Sequence, residues 1–156
     1  MYSDWGSRMK RLLLLAALMS GIAGADEYKA VFDCSSGDAD YIKSRMWLIG
    51  KTMDMIEQKG DKATFAITLH GNCVPMVSKA YDEIVDDEDE EAIGIAQKRL
   101  QTLATKRHVK VIACAMSLDV NGIEKKEVLP FVTISPNSFV DTIRLQNRGY
   151  ALMTFK

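Results

Sequence analysis

The sequence of 156 residues lacks several patterns that would indicate a function directly. It has no surplus of positive charge, because 20 Lys and Arg stand against 21 Asp and Glu, and the net charge is −1. Composition therefore gives no reason to expect a nucleic-acid partner. The sequence also lacks the glycine-rich, lysine-bearing loop that cradles phosphates, and the "SSGD" at residues 35–38 does not supply it. We therefore expect no nucleotide cofactor.

Cysteine is scarce, and no two cysteines are close in sequence. Cys34, Cys73 and Cys114 form no C-x-x-C pair, which disfavours thioredoxin-type chemistry and a structural zinc site, although these three and His70 are zinc-ligand types. The acidic run within residues 82–91 lacks the alternating ligands and the glycine of a calcium loop. We therefore expect no metal cofactor.

Long hydrophobic runs are absent as well. Residues 12–25 carry no charge, but this run of 14 residues is too short to cross a bilayer of about 30 Å as a helix. Three basic residues within 8–11 precede it and small residues close it, which is the pattern of a secretory signal peptide. We expect cleavage after Ala25, which divides the chain into a signal peptide (1–25) and one domain (26–156).

Export makes a periplasmic or secreted location the expected one, with no membrane attachment after cleavage. The sequence leaves other interpretations open: residues 12–25 could be a retained anchor or an internal helix. Met9 could also be the true start, because the segment from Met9 to Ala25 is a complete signal by itself.

The rest of the sequence alternates between strand-like and helix-like patterns. Short β-rich runs predict strands at 28–34, 62–71, 108–114, 131–135 and 150–155. The first helix is indicated by an apolar stripe at spacings of 4, 3, 4 and 3, formed by Ile42, Met46, Ile49, Met53 and Ile56. Further helices are predicted from Pro75 to Val85, around Ile93 to Leu103, and over 137–148. This alternation predicts an α/β fold with a mainly parallel sheet.

The predicted strands bring the cysteines to similar places. Cys34 ends the first strand, Cys73 lies three residues after His70 at the end of the second, and Cys114 ends the third. The carboxyl ends of parallel strands point to one edge, where ligands bind in open α/β sheets. We therefore expect these four residues on one rim of the sheet.

The pattern leaves the chemistry of the cysteines open. Export favours a disulfide, and an odd number of cysteines leaves at least one unpaired in a monomer. Cys114 would be a reactive thiolate if "AMSLDV" begins a helix, because the helix dipole favours the anion there. It could equally be a buried apolar filler between Ala113 and Ala115. His70 is either a structural hydrogen-bonding residue or a proton-transfer residue.

Several segments resemble the DsrE/DsrF-like family of the sulfur-relay (DsrEFH) superfamily. They are "VFDCSSGD", "LHG", "VKVIACAMSLDVNGI" and "VLPFVTISPNSFVDTIRLQNRGYALMTF", with the densest similarity from Val109 onward. The resemblance implies a flavodoxin-like three-layer sandwich of about five strands. It also implies a homo-oligomer, often a trimer or hexamer. In relay members, the cysteine that matches Cys114 accepts and passes on persulfide sulfur.

The expected function is therefore an exported sulfur (persulfide) carrier, or a sulfur-compound-binding protein, that acts through Cys114. His70, Cys73 and Cys34 are the expected binding residues beside it. As an enzyme it would be at most a partner-dependent sulfurtransferase, and its partners would be itself and a sulfur donor or acceptor, protein or small compound. Two alternatives are a non-catalytic homo-oligomeric binding module with structural cysteines, and a redox protein that cycles a disulfide between Cys114 and Cys73 or Cys34.

Overall fold

A computed structural model describes residues 24–155, so most of the predicted signal peptide lies outside the described residues. The domain is built on one sheet of five strands in the order β4-β3-β2-β1-β5. The strands are β1 (Glu27–Cys34), β2 (Lys62–Leu69), β3 (Lys110–Cys114), β4 (Val132–Ser135) and β5 (Ala151–Phe155). All four strand pairs of this sheet are parallel, which confirms the predicted α/β class.

Helices cover both faces of the sheet and give it three layers. They are α1 (Ala39–Glu57), α2 (Glu90–Lys106), α3 (Ala115–Val120) and α4 (Ser138–Gln146). Helices α1 and α2 pack against each other on one face, whereas α4 lies on the other face against β1, β2 and β3. This arrangement confirms the predicted flavodoxin-like sandwich.

The larger core lies between the sheet and the pair α1–α2. Helix α1 begins where the Asp38 carboxylate accepts a hydrogen bond from the Tyr41 N–H at 2.8 Å. The predicted apolar stripe then faces the sheet, because its first four members are at most 1% exposed (Ile42, Met46, Ile49 and Met53). Burial of four such side chains contributes several kcal/mol, at about 1.5–3 kcal/mol each.

The opposite face carries a much smaller apolar cluster. It consists of Val31, Ala66, Ile112 and Leu145, with Tyr150 packed against it. Because α4 has nine residues and is the longest helix described on this face, the cluster covers only part of the sheet. Polar side chains occupy the strand positions nearer the carboxyl edge, including Asp33 and Thr68, which lie level in the register.

The helix predicted from Pro75 to Val85 is wrong. The segment instead forms two 3₁₀ turns, Gly71–Val77 and Tyr81–Glu83, separated by extended backbone at Ser78. Its backbone groups pair with a distant segment: the Lys79 N–H donates to the Glu127 carbonyl at 2.8 Å, and the Val77 carbonyl accepts from the Leu129 N–H at 3.0 Å. Hydrogen bonds to residues 127 and 129 therefore take the place of the helical hydrogen bonds that the local sequence predicted.

Two strand boundaries differ from the prediction by two residues, and three others differ by one. Strand β3 begins at Lys110 instead of His108, because His108 has a φ of 56°, a left-handed conformation that a strand cannot contain. Strand β2 ends at Leu69, and a φ of 53° at Gly71 turns the chain away after His70. Within the described residues, no helix combines the length and the apolar character needed to cross a membrane.

Candidate functional site

The three cysteines reach the same edge of the sheet, but they lie on opposite faces of it. Cys34 pairs in register with Leu69, and Leu69 pairs with Ala113, so these three side chains share one face. That face is the large core, which contains all three. Cys114 follows Ala113 directly, and alternation along the strand points its side chain to the α4 face.

Cys34 and Cys73 form a disulfide within the large core. Their Cα atoms are 5.9 Å apart, both residues are fully buried, and the bond closes a loop with a sequence separation of 39. A disulfide that closes such a loop contributes about 2–4 kcal/mol to stability. The expected binding role of these two cysteines stays a prediction, and in this form both sulfurs are already bonded. Cys114 keeps a free thiol, so the disulfide of Cys114 with Cys73 or Cys34 that the sequence left open is not the one present.

Cys114 is 4% exposed and stands where β3 passes into α3. Burial raises the pKa of the Cys114 thiol, but the backbone N–H groups of Ser138 and Ser117, together with their hydroxyls, outweigh burial and lower the pKa. Ser138 is the first residue of α4, and Ser117 lies in the first turn of α3, so two helix beginnings face one sulfur. Within residues 24–155, the Cys114 side chain makes no capping hydrogen bond at the start of α3.

The Ser138 hydroxyl is an unsatisfied group beside this sulfur. Ser138 is fully buried, and among the described residues its Oγ has no hydrogen-bond partner. A buried hydroxyl left unpaired costs about 1–3 kcal/mol. The hydroxyl contributes to the lowered pKa of Cys114, so an anionic sulfur would be the missing acceptor.

The second serine is fixed by the turn after β2. Ser117 Oγ accepts a hydrogen bond from the Gly71 N–H at 2.9 Å. Asn121 spans the same two segments, because its Nδ2 donates to the Ser117 carbonyl at 2.8 Å and to the Gly71 carbonyl at 3.3 Å. These bonds tie the beginning of α3, beside Cys114, to the residue that follows His70.

His70 belongs to a chain of hydrogen bonds on the same face. Its Nε2 lies 3.1 Å from Asp33 Oδ2, and Asp33 Oδ1 accepts a hydrogen bond from the Thr68 hydroxyl at 2.7 Å. Thr142 Oγ1, on α4, lies 3.2 Å from Thr68 Oγ1 and 3.1 Å from the Ser138 carbonyl oxygen. This series of hydrogen bonds therefore connects His70, through side chains on β1 and β2, to the first turn of α4.

Apolar side chains surround this part of the surface. The Phe139 ring meets the His70 ring edge to face, with centroids 5.0 Å apart, and Phe139 is itself 55% exposed. The neighbouring apolar residues on α3 and α4 are also exposed: Met116, Val120, Val140 and Ile143. We call these four residues and Phe139 the apolar rim.

Sequence reasoning found Cys114 and His70, but it missed the residues that condition them. Ser117 and Ser138 gave no signal, because their role comes from the two helix beginnings that meet at Cys114. Asp33 and Thr68 did carry one, since each is a polar residue within a buried strand run. Within residues 24–155, no group of three or more His, Cys, Asp or Glu is arranged to hold a metal ion.

The chain is therefore an α/β domain with a free cysteine at the carboxyl edge of its sheet, where neighbouring hydrogen-bond donors favour the thiolate. Residues 29–155 match the model of the DsrE/DsrF-like family, and the chain belongs to that family. An uncharacterized protein of Aquifex aeolicus (strain VF5) is 37% identical over 131 residues. That alignment covers 84% of this chain and 57% of the relative, so this chain spans a little over half of the relative's length.

A solved structure shares the fold. It is the structure of a protein of unknown function, MTH1491, from Methanobacterium thermoautotrophicum, with a TM-score of 0.61 and 16% sequence identity. The match covers 82% of this chain and 99% of that one. At this identity the likeness shows the three-layer fold alone.

The surroundings of Cys114 predict a thiol that ionises below its ordinary range. We expect the ultraviolet absorbance of the thiolate, titrated against pH with Cys114→Ser as the blank, to give a pKa below that of an ordinary cysteine. Ser138→Ala should raise this pKa, because it removes the unpaired hydroxyl. Ser135→Ala is the matched control, since Ser135 lies level with Cys114 on β4. An ordinary or raised pKa of Cys114 in the wild type would contradict the role given to the two serines.

Proposed function

We propose that this protein carries sulfane sulfur as a persulfide on Cys114. The observation that supports this most is the free, buried Cys114 thiol. It lies between two helix beginnings and beside the Ser138 hydroxyl, which lacks a hydrogen-bond acceptor. Membership of the DsrE/DsrF-like family agrees with a sulfur-relay role. As an enzyme, the protein would be at most a partner-dependent sulfurtransferase.

The transfer is a thiol–persulfide exchange that needs no external oxidant. The Cys114 thiolate attacks the outer sulfur of a donor R–S–SH, a new S–S bond forms, and the donor's own S–S bond breaks. The electron pair of the broken bond stays with R–S⁻, which takes up a proton and leaves as R–SH. The outer sulfur remains as Cys114–S–SH, and passage to an acceptor thiol reverses these steps.

Intact mass spectrometry with inorganic polysulfide tests the proposal on the domain with its disulfide intact. We expect a gain of about 32 Da for each sulfur atom on the wild type. Cys114→Ser and Cys114→Ala should show no gain, because the other two sulfurs are bonded to each other.

Two results would overturn the proposal. One is a wild type that gains no mass, and the other is a Cys114→Ala variant that gains as much as the wild type. If Cys114→Ala also lowered the thermal midpoint while the wild type took up no sulfur, the structural reading of the cysteines would replace the carrier.

We also propose that the domain forms a homo-oligomer through the apolar rim. Helix α4 exposes three large apolar side chains, with Phe139, Val140 and Ile143 each at least 50% exposed. Phe139 and Ile143 are four residues apart and therefore lie on one side of the helix. A second copy of the chain is the partner we expect, because family resemblance implies self-association and an exposed apolar patch favours a protein interface.

Light scattering after size exclusion tests this assembly. The wild-type domain should run as a trimer or hexamer, and Phe139→Ser with Ile143→Ser should shift it toward the monomer. Substitution of Met55→Ser, an exposed apolar residue on α1, is the control and should leave the mass unchanged. A wild type that is monomeric at high concentration would refute self-association.

Export is the third part of the proposal, with a periplasmic or secreted location. It is supported by the signal-like residues 8–25 and by the buried Cys34–Cys73 disulfide, since such bonds form mainly in oxidising compartments. When the full chain is expressed in a bacterium with two membranes, the periplasmic fraction should contain a product that begins at Asp26. Retention of the uncleaved chain in the cytoplasm would contradict export.

A further inference from the structure

His70 and Cys114 are neighbours across β2 and β3 on the same face of the sheet. Leu69 pairs with Ala113, so the next residues along each strand, His70 and Cys114, lie level with each other. His70 keeps an extended backbone, with φ −149° and ψ 177°, so the alternation of β2 continues through it. Adjacent strands are about 4.8 Å apart, which sets the scale of the separation between the two backbones.

The His70 ring is held by one nitrogen and open at the other. An ionised Asp33 carboxylate only accepts hydrogen bonds, so Nε2, at 3.1 Å from Oδ2, carries the proton of the neutral ring. Nδ1 is then the acceptor, and it has no hydrogen-bond partner among residues 24–155. Thr68 and, behind it, Thr142 fix the Asp33 carboxylate. The ring is therefore oriented, with a lone pair available.

The groups that lower the pKa of Cys114 do not include this ring. The N–H groups and hydroxyls of Ser138 and Ser117 already favour its thiolate. The sulfur that leaves the donor as R–S⁻ still needs a proton, and in the return step the acceptor thiol has to lose one. Donor and acceptor have to approach Cys114 on this face of the sheet, which it shares with His70.

We propose that His70, oriented by Asp33, gives a proton to the thiolate that leaves the donor and takes the proton of the acceptor thiol. This inference rests on the proposed carrier function and adds a residue to it. With the ring protonated at Nδ1, the step is Cys114–S⁻ plus R–S–SH plus the imidazolium, giving Cys114–S–SH, R–SH and neutral His70. In the second step neutral His70 takes the proton of an acceptor R′–SH, the resulting thiolate attacks the outer sulfur of Cys114–S–SH, and the products are R′–S–SH, Cys114–S⁻ and the imidazolium. Charge and atoms balance in both steps, and Asp33 faces the cation in its charged state.

Single-turnover sulfur transfer separates this role from a structural one. The probe is glutathione persulfide mixed with the domain, quenched by acid at intervals and weighed intact. Removal of a proton-transfer residue commonly lowers the rate about 10²–10⁴-fold, so His70→Ala should transfer sulfur about 100-fold more slowly. Added imidazole should restore part of the rate, because it replaces the missing ring; a purely structural histidine would not show this rescue.

The second histidine supplies a matched control. His108 is exposed and has a φ of 56°, a conformation that asparagine tolerates, so His108→Asn should transfer sulfur at the wild-type rate, whereas His70→Asn should be slow. The thiolate titration of Cys114 should be unchanged in His70→Ala, since the serines set it. Circular dichroism and the thermal midpoint report whether each variant is folded.

The outcomes distinguish this inference from the carrier function itself. If the wild type takes up sulfur and His70→Ala does so at the same rate, His70 has no proton-transfer role, but the carrier function stands. If the wild type takes up no sulfur, both fall. If His70→Ala does not fold, Asp33→Asn decides: its amide donates to Nε2, moves the ring proton to Nδ1 and should slow transfer about 10-fold or more. A wild-type rate in Asp33→Asn would overturn the inference.

Discussion

The parallel register of β1, β2 and β3 determines where every sulfur and every hydrogen-bonding group of the site lies. Because these strands run in the same direction, their carboxyl ends meet at one edge, and the alternation of side chains divides that edge between two faces. Cys34 falls on the face that α1 and α2 cover, and Cys114 on the face that α4 covers. A shift of the β2–β3 pairing by one residue would bring Cys114 into the large core and leave its place to Ala113.

Much of this arrangement was predictable from the sequence, because long periodic segments determine their own structure. The stripe from Ile42 to Ile56 could only bury itself as one helix, and the runs ending at Cys34 and Cys114 could only alternate with helices in a parallel sheet. The segment 75–85 was not predictable in this way. Proline at a first-turn position suits a helix, but distant residues 127–129 compete for its backbone groups, and they are invisible to local pattern.

The site shows the same division between local and distant information. A cysteine at the end of a strand can be read from "VIAC", yet its ionisation depends on Ser138, which is 24 positions further along the sequence. The register that separates Cys34 from Cys114 is likewise a long-range property. Sequence reasoning could place the cysteines on a common edge of the sheet. It could not tell which face each cysteine occupies, because the register between the strands was unknown.

The Cys34–Cys73 disulfide lies on the opposite face of the sheet from Asp33 and His70, but it connects the segments that carry them. Cys34 follows Asp33 directly, and Cys73 lies in the 3₁₀ turn that follows His70, so the bond joins the backbones that carry the two members of the hydrogen-bonded pair. A backbone hydrogen bond strengthens this link, because the His70 N–H donates to the Cys34 carbonyl at 3.0 Å. The disulfide on the large-core face therefore helps to fix the positions of Asp33 and His70 on the α4 face.

This arrangement gives the three cysteines different surroundings, although the sequence placed all three near strand ends. The proposed sulfur exchange requires an unpaired thiol, and Cys114 lies on the opposite face of the sheet from the sulfurs of Cys34 and Cys73. The bonded pair, buried in the large core, connects the segments that carry Asp33 and His70. The oxidising conditions that favour the Cys34–Cys73 bond are therefore compatible with a free Cys114, because the sheet itself stands between them.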